Sequence, residues 1–272
     1  MKVFIRTDSS LAIGTGHLMR CLTLAEELTS RGAKVSFICR DLPGNMNQQA
    51  ECNGYCLYRL PFKDSTPVHD PDLSGYEKWL AVDKETDAEQ TGAILSGADE
   101  GCDLLIVDHY ALDGEWERLQ QPLVGRLMVI DDLANRPHDC DILMDQNLYK
   151  NMQGRYRHLV EDRVRLLLGP TFVLLRNEFR KWRKKISTHD GTVRKVLVSF
   201  GGADRTNETM KFLRTLSAAG MDKFEYIVVI GRTNPHREEI EDFCKAKSNL
   251  HFYRAVDDMA RLMVETDLAV GA

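Results

Sequence analysis

The sequence predicts an α/β protein built from two Rossmann-like, doubly wound domains. Short apolar runs alternate with helix-like segments from the first residues onward, which is typical of parallel sheets covered by helices. The alternation begins again after a basic, polar stretch at residues 180–195. The length of 272 residues exceeds what a single hydrophobic core usually fills.

The first predicted domain covers residues 1–170. Residues 17–31 have their apolar positions on one stripe of a helix, and Gly32 follows where a helix commonly ends. The run at 103–108 is apolar enough for a strand buried on both faces. The other predicted strands cover residues 2–6, 34–39, 55–60 and 126–131, and the other helices cover 84–95 and 114–121. Residues 61–82 are polar and irregular.

The strand and helix pattern restarts near residues 163–179. We predict a connector at residues 171–194 and a partial second domain at residues 195–272. The predicted strands of the second domain are 196–202, 226–231, 250–253 and 267–272, and its helices are 207–218, 236–246 and 257–264. No helix follows the last strand, although an open parallel sheet needs helices on both faces. We therefore expect the chain to be a piece of a longer protein.

The bulk composition disfavours several classes of protein. A net charge of -5 argues weakly against a nucleic-acid-binding protein, which usually has a basic surface. No apolar run in the sequence reaches membrane-spanning length. The N-terminal segment has the pattern of a strand and lacks the apolar core of a signal peptide. The seven cysteines form no Cys-x-x-Cys pair, and the eight histidines show no close ligand spacing. We expect reduced thiols, a cytoplasmic location, and neither a protein-held metal nor a membrane or nucleic-acid partner.

Polar residues that could act chemically follow the predicted strands. Ligands bind doubly wound sheets outside the carboxyl ends of their strands. The stretches at these ends are residues 7–17, 108–110, 131–132 and 199–204. Parallel topology should gather those of each domain along one edge of its sheet.

The glycine turn before the first helix is the most suggestive stretch. Gly14 and Gly16 permit close approach of a ligand and backbone angles that other residues avoid, and the helix N-terminus favours a phosphate or a sugar hydroxyl. Met19 occupies the place of the third glycine of the dinucleotide-binding pattern, which argues against NAD and leaves no cofactor predicted. His17 follows the turn, where the helix dipole favours a neutral imidazole that can accept a proton from water. The alternative is that His17 only caps the helix or fills a gap.

The remaining strand-end residues also allow two interpretations. Asp108 and Asp131 could orient a base or bind hydroxyl groups, or they could cap the next helix. His109 adds a polar group at the same edge, and Tyr110 could do so or simply pack with its hydroxyl in water. In the second domain, Gly201 and Gly202 lie in a turn suited to phosphate, and Asp204 or Thr206 could cap the helix that follows. The basic run at residues 180–185 is typical of a solvated helix face.

Five motifs in this order resemble one known family, the UDP-2,4-diacetamido-2,4,6-trideoxy-β-L-altropyranose hydrolases of pseudaminic acid biosynthesis. The motifs are "RTDSSLAIGTGHLMRCLTLAEEL", "DHY", "IDDLANRPHDCDILMDQNLY", "GPTFVLLRNEF" and "VSFGGAD", at residues 6, 108, 130, 169 and 198. The resemblance covers essentially the whole chain. It implies a GT-B fold and cleavage of the anomeric C–O bond of a UDP-sugar, with inversion and without a metal or cofactor.

The resemblance also implies roles for residues of this chain. His17 would act as general base on water, and the second domain would hold most of the nucleotide. The substrate-binding residues would be Gly14, Gly16, Asp108, His109, Tyr110, Asn147, Arg176, Gly201 and Gly202. The family continues after a strand like residues 267–272 with further nucleotide-binding residues, so the resemblance implies an incomplete UDP site here.

Two other functions stay open at this point. A GT-B glycosyltransferase would pass the sugar to an alcohol, whereas the hydrolase releases UDP and free sugar without an acceptor. A non-catalytic module would bind the nucleotide sugar and leave it unchanged. Incubation with the UDP-sugar alone distinguishes the three.

Overall fold

The protein divides into two compact units. The computed structural model describes residues 1–62, 75–98, 101–186, 190–202, 204–220, 223–232, 234–256 and 258–271. The first unit is Met1–Leu174 and the second is Leu175–Ala272. Most of the expected irregular segment, including Pro67 and Pro71, lies outside the described residues, as do residues 187–189 of the expected connector.

The described part of the first unit contains one parallel sheet of seven strands. The strands are β1 (Lys2–Thr7), β2 (Lys34–Arg40), β3 (Cys56–Leu60), β4 (Leu104–Asp108), β5 (Leu127–Ile130), β6 (Ile142–Asp145) and β7 (Arg165–Leu168). Their order is β3-β2-β1-β4-β5-β6-β7. The chain therefore winds outward in both directions from β1 and β4, which creates the crevice where doubly wound sheets bind ligands.

Helices cover both faces of this sheet. They are α1 (Gly16–Ser30), α2 (Gln48–Cys52), α3 (Lys84–Ser96), α4 (Gly114–Gln120) and α5 (Met152–Arg155). Alternate residues of β1 enter different cores, since Val3 packs with Leu18 of α1, whereas Phe4 packs with Leu95 of α3 and Trp116 of α4. The sheet is thus buried on both faces, which accounts for the apolar strands in the sequence.

The second unit has a smaller parallel sheet. Its strands are β8 (Lys195–Ser199), β9 (Glu225–Ile230), β10 (Leu250–Arg254) and β11 (Leu268–Gly271), in the order β10-β9-β8-β11. Its helices are α6 (Asn177–Arg183), α7 (Glu208–Ala218), α8 (Arg237–Lys245) and α9 (Met259–Val264). Val196 and Val198 face the core beneath α7 and α8, whereas Leu197 packs with Leu262 of α9.

Two strands of the first sheet differ from the sequence prediction. The sequence pattern predicts no strand at the position of β6, and it assigns residues 163–179 to a restart of the pattern. Instead β7 pairs with β6, with Ile142 opposite Arg165 and Asp145 opposite Leu168. Each strand has only four residues, one of them charged (Asp145 in β6 and Arg165 in β7), so neither has the long apolar run that identifies an inner strand. No helix in the described part of the chain is long and apolar enough to cross a bilayer.

Candidate active site

His17 and Asp108 form a buried pair at the carboxyl edge of the first sheet. β1 and β4 are neighbours, and Thr7 lies opposite Asp108 at their ends. Helix α1 begins nine residues after Thr7 and returns over this edge, so that Nδ1 of His17 lies 2.6 Å from Oδ1 of Asp108. A carboxylate accepts hydrogen bonds, so in the singly protonated form of the ring we assign the proton to Nδ1. The lone pair then remains on Nε2, where it can accept a proton from water.

Asp108 is fully buried and both of its oxygens are occupied by the protein. Oδ1 accepts from Arg20 Nη2 at 2.6 Å as well as contacting His17, and Oδ2 accepts from Arg20 Nε at 2.6 Å and from Cys21 Sγ at 3.4 Å. Burial alone would raise the Asp108 pKa, but His17 and Arg20 outweigh it and hold the pKa well below its usual range. The carboxyl is therefore ionised. It has no free oxygen for the direct substrate contact expected of it, and its position suits orientation of His17 instead.

Arg20 is the main residue of this site that the sequence analysis missed. It lies one turn after His17 on the same face of α1, which is the spacing at which helical side chains meet. Besides its hydrogen bonds to Asp108, Arg20 donates to Asp132 Oδ2 at 3.1 Å. These carboxylates raise the Arg20 pKa even though burial opposes them. The signal available in the sequence was this three-residue spacing from the histidine.

An aromatic cluster lies against the His17 ring. Tyr110 meets it edge-on with ring centroids 4.5 Å apart, and the Tyr110 hydroxyl donates to Asp132 Oδ1 at 2.5 Å. Burial and the neighbouring Asp132 raise the Tyr110 pKa, so the hydroxyl stays protonated. Trp79 stacks on Tyr110 at 5.7 Å and lies 6.1 Å from His17, while Tyr76 lies 5.0 Å from Tyr110. We call Tyr76, Trp79 and Tyr110 the aromatic wall.

His109 points away from this site into a buried polar network. Its Nδ1 accepts from the Ala111 amide at 3.1 Å, and its Nε2 lies 3.3 Å from Asp8 Oδ2. Burial lowers the His109 pKa, which keeps the ring neutral. Asp8 also pairs with Arg6 at 2.6 Å in a network that includes Asp87. His109 is only 3% exposed, so it has no accessible surface for the direct substrate contact that the resemblance implies.

The glycine turn differs in detail from the expectation. Gly14 adopts a φ of +81°, a left-handed angle that favours glycine, and its amide donates to the Ser10 carbonyl at 2.9 Å. Gly16 has no such angle and begins α1, so unusual backbone geometry explains the first glycine only. A Cβ atom on either glycine would meet no atom within 4 Å. The Thr15 side chain makes no capping hydrogen bond to α1.

The other expected site residues lie in several places. Asn147 is exposed just after β6, at the same sheet edge as His17. Its backbone N–H donates to Asp145 Oδ1 at 3.0 Å. Gly201 and Gly202 follow β8 in the second unit, with a φ of +80° at Gly201. Arg176, at the start of α6 in the second unit, pairs with Glu178 at 2.6 Å.

The helix-capping alternative holds for Asp204 but not for Asp131. Asp204 accepts from the amides of Glu208 and Thr209 at 2.8 and 3.0 Å, and so caps α7. Asp131 is buried and accepts from the Ala134 amide at 2.9 Å within a loop, and no helix begins there for it to cap. Among the described residues, no group of three or more histidine, cysteine, aspartate or glutamate side chains is placed to hold a metal ion.

Comparisons with solved structures define the class of fold. The protein aligns with UGT89C1 of Arabidopsis thaliana, solved with quercetin, at a TM-score of 0.62 and 12% identity over 99% of this chain and 73% of that one. It aligns with MurG of Acinetobacter baumannii at a TM-score of 0.57 and 11% identity over 99% of this chain and 72% of that one. The predicted two-domain α/β fold of GT-B type is thereby confirmed.

Comparison with characterised sequences points to one relative in particular. The chain is 26% identical over 270 residues to the UDP-2,4-diacetamido-2,4,6-trideoxy-β-L-altropyranose hydrolase of Campylobacter jejuni, which covers 98% of this chain and 83% of that protein. The resemblance inferred from the five motifs is confirmed by this match. No protein-family model matches the chain.

Proposed function

We propose that this protein hydrolyses the anomeric C–O bond of a UDP-linked diacetamido-trideoxy-hexose, giving UDP and the free sugar with inversion, in pseudaminic acid biosynthesis. The relative from Campylobacter jejuni supports the substrate class. The observation that supports the chemistry is the 2.6 Å pair between His17 Nδ1 and Asp108, because it leaves Nε2 as the basic atom.

In the proposed reaction, His17 Nε2 takes a proton from a water molecule as the water oxygen bonds to C1 of the sugar. The bond from C1 to the phosphate oxygen breaks on the opposite face, and its electron pair leaves with UDP. Asp108 remains ionised and stabilises the imidazolium as it forms. UDP is a good leaving group, so the step needs a base more than it needs an acid. General-base assistance is worth about 10²- to 10⁴-fold in rate.

The aromatic wall is our candidate for contact with the sugar. A trideoxy sugar with two acetamido groups has several methyl groups, and aromatic faces pack well against apolar substituents. Trp79 and Tyr110 place such faces beside His17. We further propose that Gly14, Gly16 and Asn147 contact the sugar or the diphosphate, and that Arg176, Gly201 and Gly202 contribute to nucleotide binding.

Isotope labelling tests the reaction directly. The protein would be incubated with the UDP-sugar in H₂¹⁸O without an acceptor, and products would be followed by NMR and mass spectrometry. We expect equal amounts of UDP and free sugar, ¹⁸O in the sugar only, and an inverted anomeric centre in the first product. Label in the UDP phosphate would contradict cleavage of the C–O bond, and retention would contradict direct attack by water.

A glycosyltransferase is the second candidate, because the fold aligns with UGT89C1, whose structure contains quercetin. A transferase would consume the UDP-sugar slowly alone and rapidly once an alcohol acceptor is added. Stable UDP-sugar that nevertheless binds would favour a non-catalytic module instead.

A further inference from the structure

One carboxylate, that of Asp132, joins two parts of the candidate active site. Its Oδ1 accepts from the Tyr110 hydroxyl at 2.5 Å, and its Oδ2 accepts from Arg20 Nη1 at 3.1 Å. Tyr110 belongs to the aromatic wall, whereas Arg20 binds the Asp108 carboxylate that contacts His17. Asp132 lies in one of the strand-end stretches of the sequence, just after β5, and the proposed reaction gives it no role.

The backbone of Asp132 is anchored to the segment that follows β6. Its carbonyl oxygen accepts from Arg155 Nη2 at 2.7 Å and from the Tyr149 hydroxyl at 3.2 Å. The Arg155 guanidinium also lies 3.6 Å from the centre of the Tyr149 ring and pairs with Asp145 at 3.3 Å. The position of Asp132 is therefore held by contacts that do not involve its side chain.

The surroundings of the Asp132 carboxylate favour strong hydrogen bonds. The Asp132 side chain is 15% exposed and that of Arg20 is 14% exposed, so water competes little for either group. Hydrogen bonds to an ionised group are stronger than those between neutral groups. Burial and Asp132 both raise the Tyr110 pKa, which keeps the hydroxyl protonated as the donor.

Tyr110 is the ring through which Asp132 can act on the rest of the site. It meets the His17 ring edge-on with ring centroids 4.5 Å apart. It also stacks on Trp79 at 5.7 Å and lies 5.0 Å from Tyr76. Aromatic pairs adopt both offset-stacked and edge-on arrangements, so ring contacts alone do not fix one orientation. The hydrogen bond to Asp132 selects the observed orientation of Tyr110.

We propose that Asp132 is a positioning residue, which holds Tyr110, and through it the aromatic wall, against His17. In this role the carboxylate acts through Tyr110 and not on the reacting atoms. The inference deepens the proposed hydrolysis and rests on it for the kinetic test, whereas the arrangement of the wall can be measured without turnover.

Kinetics of the whole chain with the UDP-sugar test the contact from both sides. Asp132→Ala removes the acceptor, and Tyr110→Phe removes the donor while keeping the ring. Each should lower kcat/KM by about tenfold or more, which is the usual loss for a hydrogen bond to a charged group. The double variant should lose no more than the larger of the two losses, because both changes break the same contact. Losses that multiply in the double variant would contradict the proposal.

Asp132→Asn separates the position of the side chain from its charge. When the amide oxygen accepts from Arg20, the amide nitrogen can donate to the Tyr110 hydroxyl oxygen, so both contacts remain. This variant should therefore recover most of the kcat/KM that Asp132→Ala loses. An equal loss in the two variants would overturn the positioning role. Asp190→Ala, at a surface aspartate that also pairs with an arginine, is the matched control and should have no effect.

Near-ultraviolet circular dichroism reports on the wall without turnover. The difference between the wild type and Trp79→Phe defines the Trp79 signal. This signal should weaken strongly in Asp132→Ala and in Tyr110→Phe, and it should persist in Asp132→Asn and Asp190→Ala. An unchanged Trp79 signal in the first two variants overturns the proposal, and Tyr110→Phe alone decides it if Asp132→Ala does not fold. A wild type that leaves the UDP-sugar intact would instead contradict the proposed function, and the Trp79 signal would still decide the role of Asp132.

Discussion

Single residues set the chemistry of the site, and the buried carboxylate of Asp108 determines which nitrogen of His17 is basic. In Asp108→Asn the new amide donates to Nδ1, so the proton moves to Nε2 and the base is lost. We expect turnover to fall by about 10²- to 10⁴-fold while UDP binding stays unchanged. Steady-state kinetics and UDP titration measure both. Asp190→Asn, at a surface residue paired with Arg194, is the control, and turnover of Asp108→Asn near the wild-type value would contradict the assigned orientation.

The same buried carboxylates predict how stability depends on pH. Arg6 outweighs the burial that would raise the pKa of Asp8 and of Asp87, and both pKa values lie below their ordinary range, as does that of Asp108. A carboxyl whose pKa is lower in the folded state adds stability above its unfolded pKa of about 4, and this stability is lost as the pH falls through the folded pKa. Tm should therefore decline gently from about pH 7 to 5, because the lowered His109 pKa disfavours the folded state once the unfolded histidine is protonated, and it should drop more steeply below about pH 4. A smaller drop is expected in Asp108→Asn, and a flat profile in the wild type would contradict the account.

At the scale of elements, the short 3₁₀ helix Gly75–Trp79 brings Trp79 to the active-site edge. If the aromatic wall holds the sugar, Trp79→Ala should raise KM by about 2- to 10-fold with a smaller change in kcat, since an aromatic contact is worth about 0.5–1.5 kcal/mol. Trp79→Phe should restore most of the affinity. An unchanged KM in Trp79→Ala would contradict a role for the aromatic wall in binding the sugar.

The elements also show what the sequence could and could not reveal. Strands β1, β2, β4 and β5 are apolar runs, and their order along the chain was enough to place Asp108 and the glycine turn at one edge. Strands β6 and β7 each have only three apolar residues beside a charged one, which is too weak for that signal. Trp79 follows a polar segment without periodicity, so its approach to His17 depends on tertiary folding alone. The contact of His17 with Asp108 depends on how α1 packs over the sheet at the ends of β1 and β4, which the pattern of residues does not specify.

At the scale of the whole molecule, the candidate catalytic residues His17 and Asp108 both belong to the first unit. The proposed reaction takes its base from a histidine and relies on UDP as a good leaving group. Turnover should therefore survive removal of metal ions. We expect kcat in excess EDTA to match the untreated value within about twofold, given that the described residues contain no clustered set of metal ligands. Loss of activity in EDTA with recovery on addition of Mg²⁺ would contradict a metal-independent reaction.

The most direct test of the account is the turnover of His17→Asn, measured with Tm and UDP affinity on the same preparation. Asparagine can remain at the start of a helix but cannot accept a proton at neutral pH. We predict that Tm and UDP affinity stay close to those of the wild type and that kcat falls by about 10²-fold or more. A lower Tm with near-normal turnover per folded molecule would contradict the central claim that His17 is the general base.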